Sequence, residues 1–251
     1  MVKFFDAATF SDVPYTLTVA AALRALGWPT PEPVEEPVTG PAGTWVLFRR
    51  LPGRPRERDE ERSRGRLLAE LHASAAATGI TGQRDGFRDA VEVVTDPALD
   101  HWLRVHERAR PDEGRELRAG RDAAARWFAE NDTSAAPRSV IHSDFAPWNL
   151  LFDDGRLTGV LDFEGTHHTF QVADFALSWR GYQDDVLRGY DEVRPLSDLE
   201  WRLIRPTFVA WLFIDVANVL AAHHGRSGPV PDLRWQIAHL RKRSPLLDKM
   251  T

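Results

Sequence analysis

Val140-Ile141-His142-Ser143-Asp144-Phe145-Ala146-Pro147-Trp148-Asn149-Leu150-Leu151-Phe152, with Asp162 ten residues beyond, is the stretch that the rest of the chain serves. Val140 and Ile141 read as the end of a buried strand, polar groups follow, and Asn149 to Phe152 read as a second strand. Asp153-Asp154-Gly155 is a tight-hairpin signal, because Asp and Gly tolerate the positive φ such turns demand, and it leads into a third strand from Leu157 to Leu161. A hairpin of that kind folds Asp162 back beside Asn149. Asp144, Asn149 and Asp162 then sit where strands meet loops and converge on one small space.

Such a constellation suits phosphoryl transfer, which needs a carboxylate near the attacking hydroxyl and hard oxygen ligands for the magnesium that bridges the phosphates. Oxygen ligands in a chain without cysteine favour magnesium over zinc. The stretch resembles the catalytic loop of the aminoglycoside phosphotransferase and choline kinase family: His-Gly-Asp, four residues, Asn, then a metal-binding aspartate after a short hairpin. The matching residues are His142-Ser143-Asp144, Asn149 and Asp162-Phe163-Glu164, and Ala173-Asp174-Phe175-Ala176 resembles the family's Asp-Leu-Ala helix start. The resemblance implies that Asp144 is the catalytic base, that Asn149 and Asp162 hold Mg2+, and that ATP or GTP is the donor. It makes His142 structural, gives Asp174 the bracing of the catalytic loop, and has Glu164 support the metal ligand from behind. Ser143 stands where the family has glycine, so the loop is expected to avoid a positive φ there or to accept some strain.

At 251 residues and 43% hydrophobic, the chain is long enough for a large core, as one domain or two unequal lobes. The lack of cysteine excludes disulfides and thiolate zinc sites and fits a reducing cytoplasm. No secretory signal is evident at the N-terminus. The longest apolar run, Thr207 to Ala222, is interrupted by Asp215 and is expected to fall short of a membrane span. A net charge of −5, with arginines interspersed among acids, argues against nucleic-acid binding. Lysine occurs only at Lys3, Lys242 and Lys249, so a lysine inside an apolar strand is informative.

Met1 to Phe5 read as a strand, Ser11-Asp12-Val13-Pro14 as the start of a helix to about Leu26, and Thr44 to Arg50 as a strand before the turn Leu51-Pro52-Gly53. In the resembled family this order is the second half of the N-terminal lobe. Lys3 falls where that family has its phosphate-contacting lysine, and Arg49 to Leu51 where the hinge backbone meets the adenine. The alternative for Lys3 is a solvated terminal lysine. Two departures stand out. The helix lacks the glutamate that pairs with that lysine, Thr18 falling near its place, and the two strands and glycine-rich loop of the family would precede Lys3. The expectation is a truncated N-terminal lobe, an exposed sheet edge beside Lys3 and weak nucleotide affinity.

Arg54 to Arg66 read as the solvated face of a helix whose buried stripe is Leu67, Leu68, Leu71 and His72, with His72 a core histidine. Asp96-Pro97 and Pro111-Asp112 open two further helices, and Ser197-Asp198-Leu199-Glu200 is a capping box for a long helix to Ala222, kinked at Pro206. Gly225 to Pro231 reads as a loop before a last helix, Asp232 to Arg243. His167 and His168 are adjacent, which is poor spacing for a metal, and the loop expected there suits substrate contact instead. Asp215 lies one turn from Trp211 and from Asn218 in an apolar helix. Asp215 and Trp211 are read as lining the acceptor pocket, or else Asp215 pairs with Arg180 or Arg205.

The reading is an α/β (α+β), two-lobed protein-kinase-like fold with a reduced N-terminal lobe over residues 1–52 and a mostly helical catalytic lobe over 53–251. The implied activity is transfer of the γ-phosphoryl group of ATP to a hydroxyl of an aminoglycoside-like antibiotic, a choline-like amine or an amino alcohol, with neither nucleic acid nor membrane as partner. The alternative is a nucleotide-binding regulatory pseudokinase.

Overall fold

Phe5 and Val46 are buried while Val2, Phe4, Trp45 and Leu47 are exposed, the period-two alternation of a sheet with one covered face. The computed structural model describes residues 1–7, 12–223 and 229–250. In chain order its elements are β1 (Val2–Asp6), α1 (Val13–Ala25), β2 (Val38–Gly40), β3 (Gly43–Leu47), α2 (Glu61–Ala77), α3 (Ala90–Val94), α4 (Pro97–Ala109), α5 (Pro111–Glu130), β4 (Arg138–Ile141), β5 (Leu150–Asp153), β6 (Arg156–Val160), β7 (His167–Phe170), α6 (Phe175–Trp179), α7 (Asp184–Val193), α8 (Asp198–His223), α9 (Arg234–Leu240) and α10 (Leu247–Met250). The chain divides into two compact units, one of Met1–Phe87, Pro137–Ser178 and Asp185–Pro195, the other of Arg88–Ala136, Trp179–Asp184 and Leu196–Thr251.

The first unit carries an antiparallel sheet in the order β1-β3-β2, with Lys3 opposite Val46 and Phe4 opposite Trp45. β1 is therefore an edge strand of this sheet. Val13 and Leu17 of α1 pack on Phe5, Val46 and Phe48, which explains why those positions are apolar. Asp12 caps α1 by accepting from the Tyr15 amide at 3.0 Å, and Gly27, at φ 94°, leaves the helix by a turn that glycine adopts freely. Ser11, expected to begin this helix, lies outside the described residues. β3 stops at Leu47, short of the expected Arg50, because the Arg49 amide binds the Glu32 carbonyl instead of a ladder partner.

The charged run before α2 needs a second correction. The helix begins at Glu61, not Arg54, and Arg64 is buried, pairing with Asp59 at 2.6 Å and donating to the Ser178 carbonyl. A guanidinium taken out of water needs such partners, and mixed-sign sequence alone does not reveal which arginine has them.

In the second unit α3, α4, α5, α9 and α10 pack on α8, whose Val209, Phe213, Val216 and Leu220 join Leu99, Leu103, Leu117 and Ile237 in one core. Side-chain caps at Asp89 and Asp96 start α3 and α4, and the Ser197–Glu200 box starts α8. Contrary to expectation, α8 is, at 26 residues, long and apolar enough to cross a membrane; most of its apolar window is buried in the protein, and it continues through Pro206. Burial on several sides accounts for a helix apolar nearly all round. Of the loop expected from Gly225 to Pro231, residues 225–228 lie outside the described residues.

Candidate active site

All of the catalytic-loop residues lie in the first unit, and the hairpin assembles them. Asp154 and Gly155 have φ of 46° and 78°, the two successive left-handed residues of a tight hairpin turn between β5 and β6. The Leu161 amide then donates to the Asn149 carbonyl at 2.8 Å, which sets Asp162 beside Asn149. Asn149 ends a 3-10 turn, Pro147–Asn149, and its Nδ2 donates to the Asp144 carbonyl at 2.9 Å and to Asp144 Oδ2 at 2.8 Å. With its nitrogen so engaged, Asn149 keeps its carbonyl oxygen for another partner. Asp144 Oδ1 is buried and receives no well-formed hydrogen bond among the described residues. Burial pushes the Asp144 carboxyl above its ordinary range, the Asp162 charge adds to this, and His142 and Asn149 oppose it. A carboxyl moved in that direction is a better proton acceptor than an ordinary aspartate.

Four groups fix the loop. Asp174, fully buried, accepts from the His142 amide at 2.8 Å and the Ser143 amide at 2.7 Å, and it meets His72 Nε2 at 3.0 Å. His72 Nδ1 lies 2.8 Å from the Tyr190 hydroxyl. His142 Nδ1 accepts from the Asp144 amide at 3.2 Å, so its proton is on Nε2, which donates to the Leu161 carbonyl at 2.8 Å. Its ring packs between Phe145 and Phe163, and burial lowers its pKa, keeping it neutral against the pull of Asp174 and Asp144. Ser143 has φ 73°, so the loop does need the left-handed conformation and serine bears that strain, held by the Asp174 bond. Ser143→Gly is expected to leave the melting temperature unchanged or raise stability by up to about 1 kcal/mol, the relieved strain being offset by glycine's entropy. A thermal melt that showed clear destabilisation would mean that the Ser143 side chain has a structural partner.

Lys3 is not a solvated terminal side chain. Its Nζ lies 2.9 Å from Asp162 Oδ1 and 2.6 Å from Glu164 Oε1. Burial works to lower its pKa, but the Glu164 and Asp162 hydrogen bonds override this and raise it, so it stays charged. Asp162 itself is left-handed, φ 64°, a conformation aspartate tolerates. A cavity of about 270 Å³ joins these groups: Lys3, Asn149, Asp162 and Glu164 at its polar side, with Phe5, Leu17, Phe48, Leu161 and Phe163 among its apolar walls. Asn149 and Asp162 thus offer hard oxygen donors to one space, the donor type that would suit magnesium.

Other expected site residues fall elsewhere. Arg49 pairs through its side chain with Glu32 at 3.0 Å, and with its amide already engaged, only the remaining hinge groups up to Leu51 are open to a base. His167 is on strand β7, opposite Ile141, rather than on a loop; its Nδ1 lies 2.7 Å from the Gly165 carbonyl and its ring stacks on Phe87. Asp215 and Trp211 belong to the second unit. Asp215 accepts from Gln236 Nε2 at 2.6 Å, a neutral amide, so neither Arg180 nor Arg205 is its partner, and Arg205 donates to the Leu240 carbonyl. Trp211 stands between Phe208, at 5.9 Å, and Trp235, at 6.4 Å.

Arg84 escaped the sequence reading altogether. It is buried, and it donates to the carbonyls of Glu164 at 2.5 Å, Thr166 at 2.8 Å and Asp12 at 3.2 Å, tying the turn after Asp162 to the start of α1. One arginine in a polar stretch carries no periodic signal that would reveal this.

Homoserine kinase of Rhizobium johnstonii is 28% identical over 224 residues, covering 76% of this chain and 63% of that protein. Homoserine kinase of Gluconobacter oxydans is 30% identical over 149 residues, 54% of this chain and 45% of that protein. The chain therefore spans about half to two thirds of the length of these curated relatives. Among solved structures, a microcompartment-associated aminopropanol kinase superposes with a TM-score of 0.68 at 19% identity, covering 95% of this chain and 81% of that one. An aminoglycoside phosphotransferase bound to ADP and hygromycin B gives 0.62 at 18% identity, with 94% and 82% covered. At these identities the likeness establishes the fold, which is kinase-like with few strands in its N-terminal part. The phosphotransferase enzyme family matches residues 1–196, through the sheet of Lys3, the catalytic loop and Asp174, and the chain belongs to that family.

Proposed function

We propose that this protein binds ATP with magnesium and transfers the γ-phosphoryl group to the hydroxyl of a small amine-bearing acceptor. The observation that carries the proposal is the juxtaposition of Lys3, Asn149 and Asp162 on one cavity with Asp144, held beside Asn149 with its buried Oδ1 receiving no well-formed hydrogen bond among the described residues. Residues 1–52 serve as the nucleotide lobe and 53–251 as the catalytic lobe. Asp144 orients the acceptor hydroxyl and takes its proton as the oxygen attacks the γ-phosphorus. The bond from that phosphorus to the bridging β-oxygen breaks, and ADP leaves with the electron pair. Lys3 binds the phosphates from the sheet side, and Asn149 and Asp162 are the metal ligands. Magnesium, when bound, neutralises charge on the transferred group.

An amino alcohol or hydroxylated amino acid is the acceptor class best supported, since the relatives include homoserine kinases and the similar structures an aminopropanol kinase. Asp215, one helical turn from Trp211, is assigned to a cationic group, on the grounds that a half-buried carboxylate bonded, among the described residues, to a neutral amide keeps its charge for a cation. Asp215→Asn is expected to raise the acceptor KM about tenfold with an unchanged melting temperature and nucleotide KM. A lowered melting temperature with an unchanged acceptor KM would give Asp215 a structural role instead.

The deciding experiment is a nucleotide-consumption screen with Mg2+ and ATP or GTP against homoserine, aminopropanol, choline-like amines and aminoglycosides. Consumption that depends on one acceptor supports the proposal. Nucleotide binding without consumption for any acceptor would replace it with a regulatory, non-catalytic role.

A further inference from the structure

The helix α1, Val13-Pro14-Tyr15-Thr16-Leu17-Thr18-Val19-Ala20-Ala21-Ala22-Leu23-Arg24-Ala25, contains no acidic residue. Thr18 is exposed and donates to the Pro14 carbonyl, and Thr16, though it lines the cavity, is uncharged. A half-buried ammonium on β1 nevertheless needs a carboxylate to hold it in one place. Two are present, Asp162 and Glu164, and they are not equivalent: Asp162 is also the residue assigned to the metal, so on loading it has a second claim on its oxygens. Glu164 has the shorter contact, 2.6 Å against 2.9 Å, and the less exposed side chain, 20% against 40%.

The backbone under Glu164 is built to hold it still. It lies in the 3-10 turn Phe163–Gly165, its carbonyl is gripped by Arg84, and the next anchored residue, Thr166, donates from Oγ1 to the Ile141 carbonyl at 2.6 Å. Gly165 packs so closely on Ser143 that a Cβ there would come within 2.9 Å of the Ser143 Cβ. The turn is thus clamped between α1 and the catalytic loop, with the Glu164 carboxylate pointing at Lys3.

We propose that Glu164 is the positioning residue for Lys3, supplying from the turn after the metal ligand the carboxylate that α1 lacks. The inference rests on the nucleotide reading given above, with Lys3 as phosphate contact, and it assigns Glu164 to the lysine and not to the metal. Glu164 keeps the ammonium at the polar side of the cavity while Asp162 is released to its ligand.

The test is a double-mutant cycle in ADP affinity, measured by calorimetry with Mg2+ and again in EDTA. Glu164→Gln is expected to weaken ADP binding about tenfold in both media, and to add nothing in a Lys3→Met background. An effect seen only with Mg2+, or one that adds fully to Lys3→Met, would make Glu164 a metal ligand and overturn the proposal. A second readout needs no nucleotide: acylation of the free protein by an N-hydroxysuccinimide ester, followed by peptide mass spectrometry, with Lys242 and Lys249 as internal standards. Lys3 is expected to react several-fold faster in the Glu164→Gln protein, and an unchanged rate overturns the pairing. If the unmutated protein binds no ADP, the nucleotide reading fails, while the acylation rates still decide whether Glu164 holds Lys3.

Discussion

Asp144→Asn is expected to lower kcat by about 10²- to 10⁴-fold, the usual contribution of a positioned proton acceptor, with the fold intact. The substitution is nearly isosteric, and an amide oxygen can still accept from Asn149 Nδ2 as Asp144 Oδ2 does at 2.8 Å. It removes only the basic oxygen. The carboxylate is disfavoured in its site by burial and by Asp162, so neutralising it relieves both. The melting temperature should therefore stay the same or rise, and ADP affinity should not fall. That combination separates a catalytic group from a structural one, because loss of a structural carboxylate lowers activity and stability together. Measured at saturating nucleotide and acceptor, a variant retaining more than a tenth of the turnover would remove Asp144 from the chemistry.

The hairpin and the loop around this carboxylate were legible in sequence because each signal was local. Asp154-Gly155 names its own turn, and a one-turn hairpin leaves Asp162 little choice but to return to Asn149. The capped helices were legible for the same reason, since an Asp or Ser immediately before a helical run bonds to its own neighbours. What stayed hidden depends on residues far apart in the chain. Arg64 looked like one more solvated charge in a mixed run, yet it bonds to Asp59 and to a carbonyl more than a hundred residues on. Arg84 reaches Glu164 and Asp12, separations of 80 and 72 residues. Gln236 answers the Asp215 carboxylate where an arginine was expected, because a half-buried acid can keep part of its hydration and does not require a full counter-charge. Ser143 misled in the opposite sense: a non-glycine residue argues against positive φ, but two amide bonds to one buried aspartate outweigh a conformational cost of about 1 to 2 kcal/mol.

Asp174→Ala is expected to be the most destabilising single change in the first unit, at about 3 to 5 kcal/mol, because it strands several buried groups at once. The His142 and Ser143 amides lose their acceptor, His72 loses the partner of its Nε2, and Ser143 keeps its left-handed conformation with nothing to hold it. For a chain of this length the melting temperature should fall by roughly 10 °C. Asp174→Asn should be little better, since its amide nitrogen would face one of the two backbone donors. The acid sensitivity of the fold follows from the same cluster. Burial alone would raise the Asp174 carboxyl, but the hydrogen bond from His72, followed by the nearby histidines and the loop amides, outweighs it and holds the group below its ordinary range. His142, buried and neutral, is also lowered. Each of these groups therefore takes up a proton more readily in the unfolded chain than in the folded one, and both effects favour unfolding as pH falls. Stability should be level above about pH 7 and decline from about pH 6.5, where an unfolded histidine protonates. It should decline further below about pH 4, where an unfolded aspartate does. In Asp174→Ala the second decline should shrink, with its contribution already lost at neutral pH. Denaturant midpoints across pH 3 to 8 check this, and a second decline of equal size in the variant would place the source of acid sensitivity outside the Asp174 cluster.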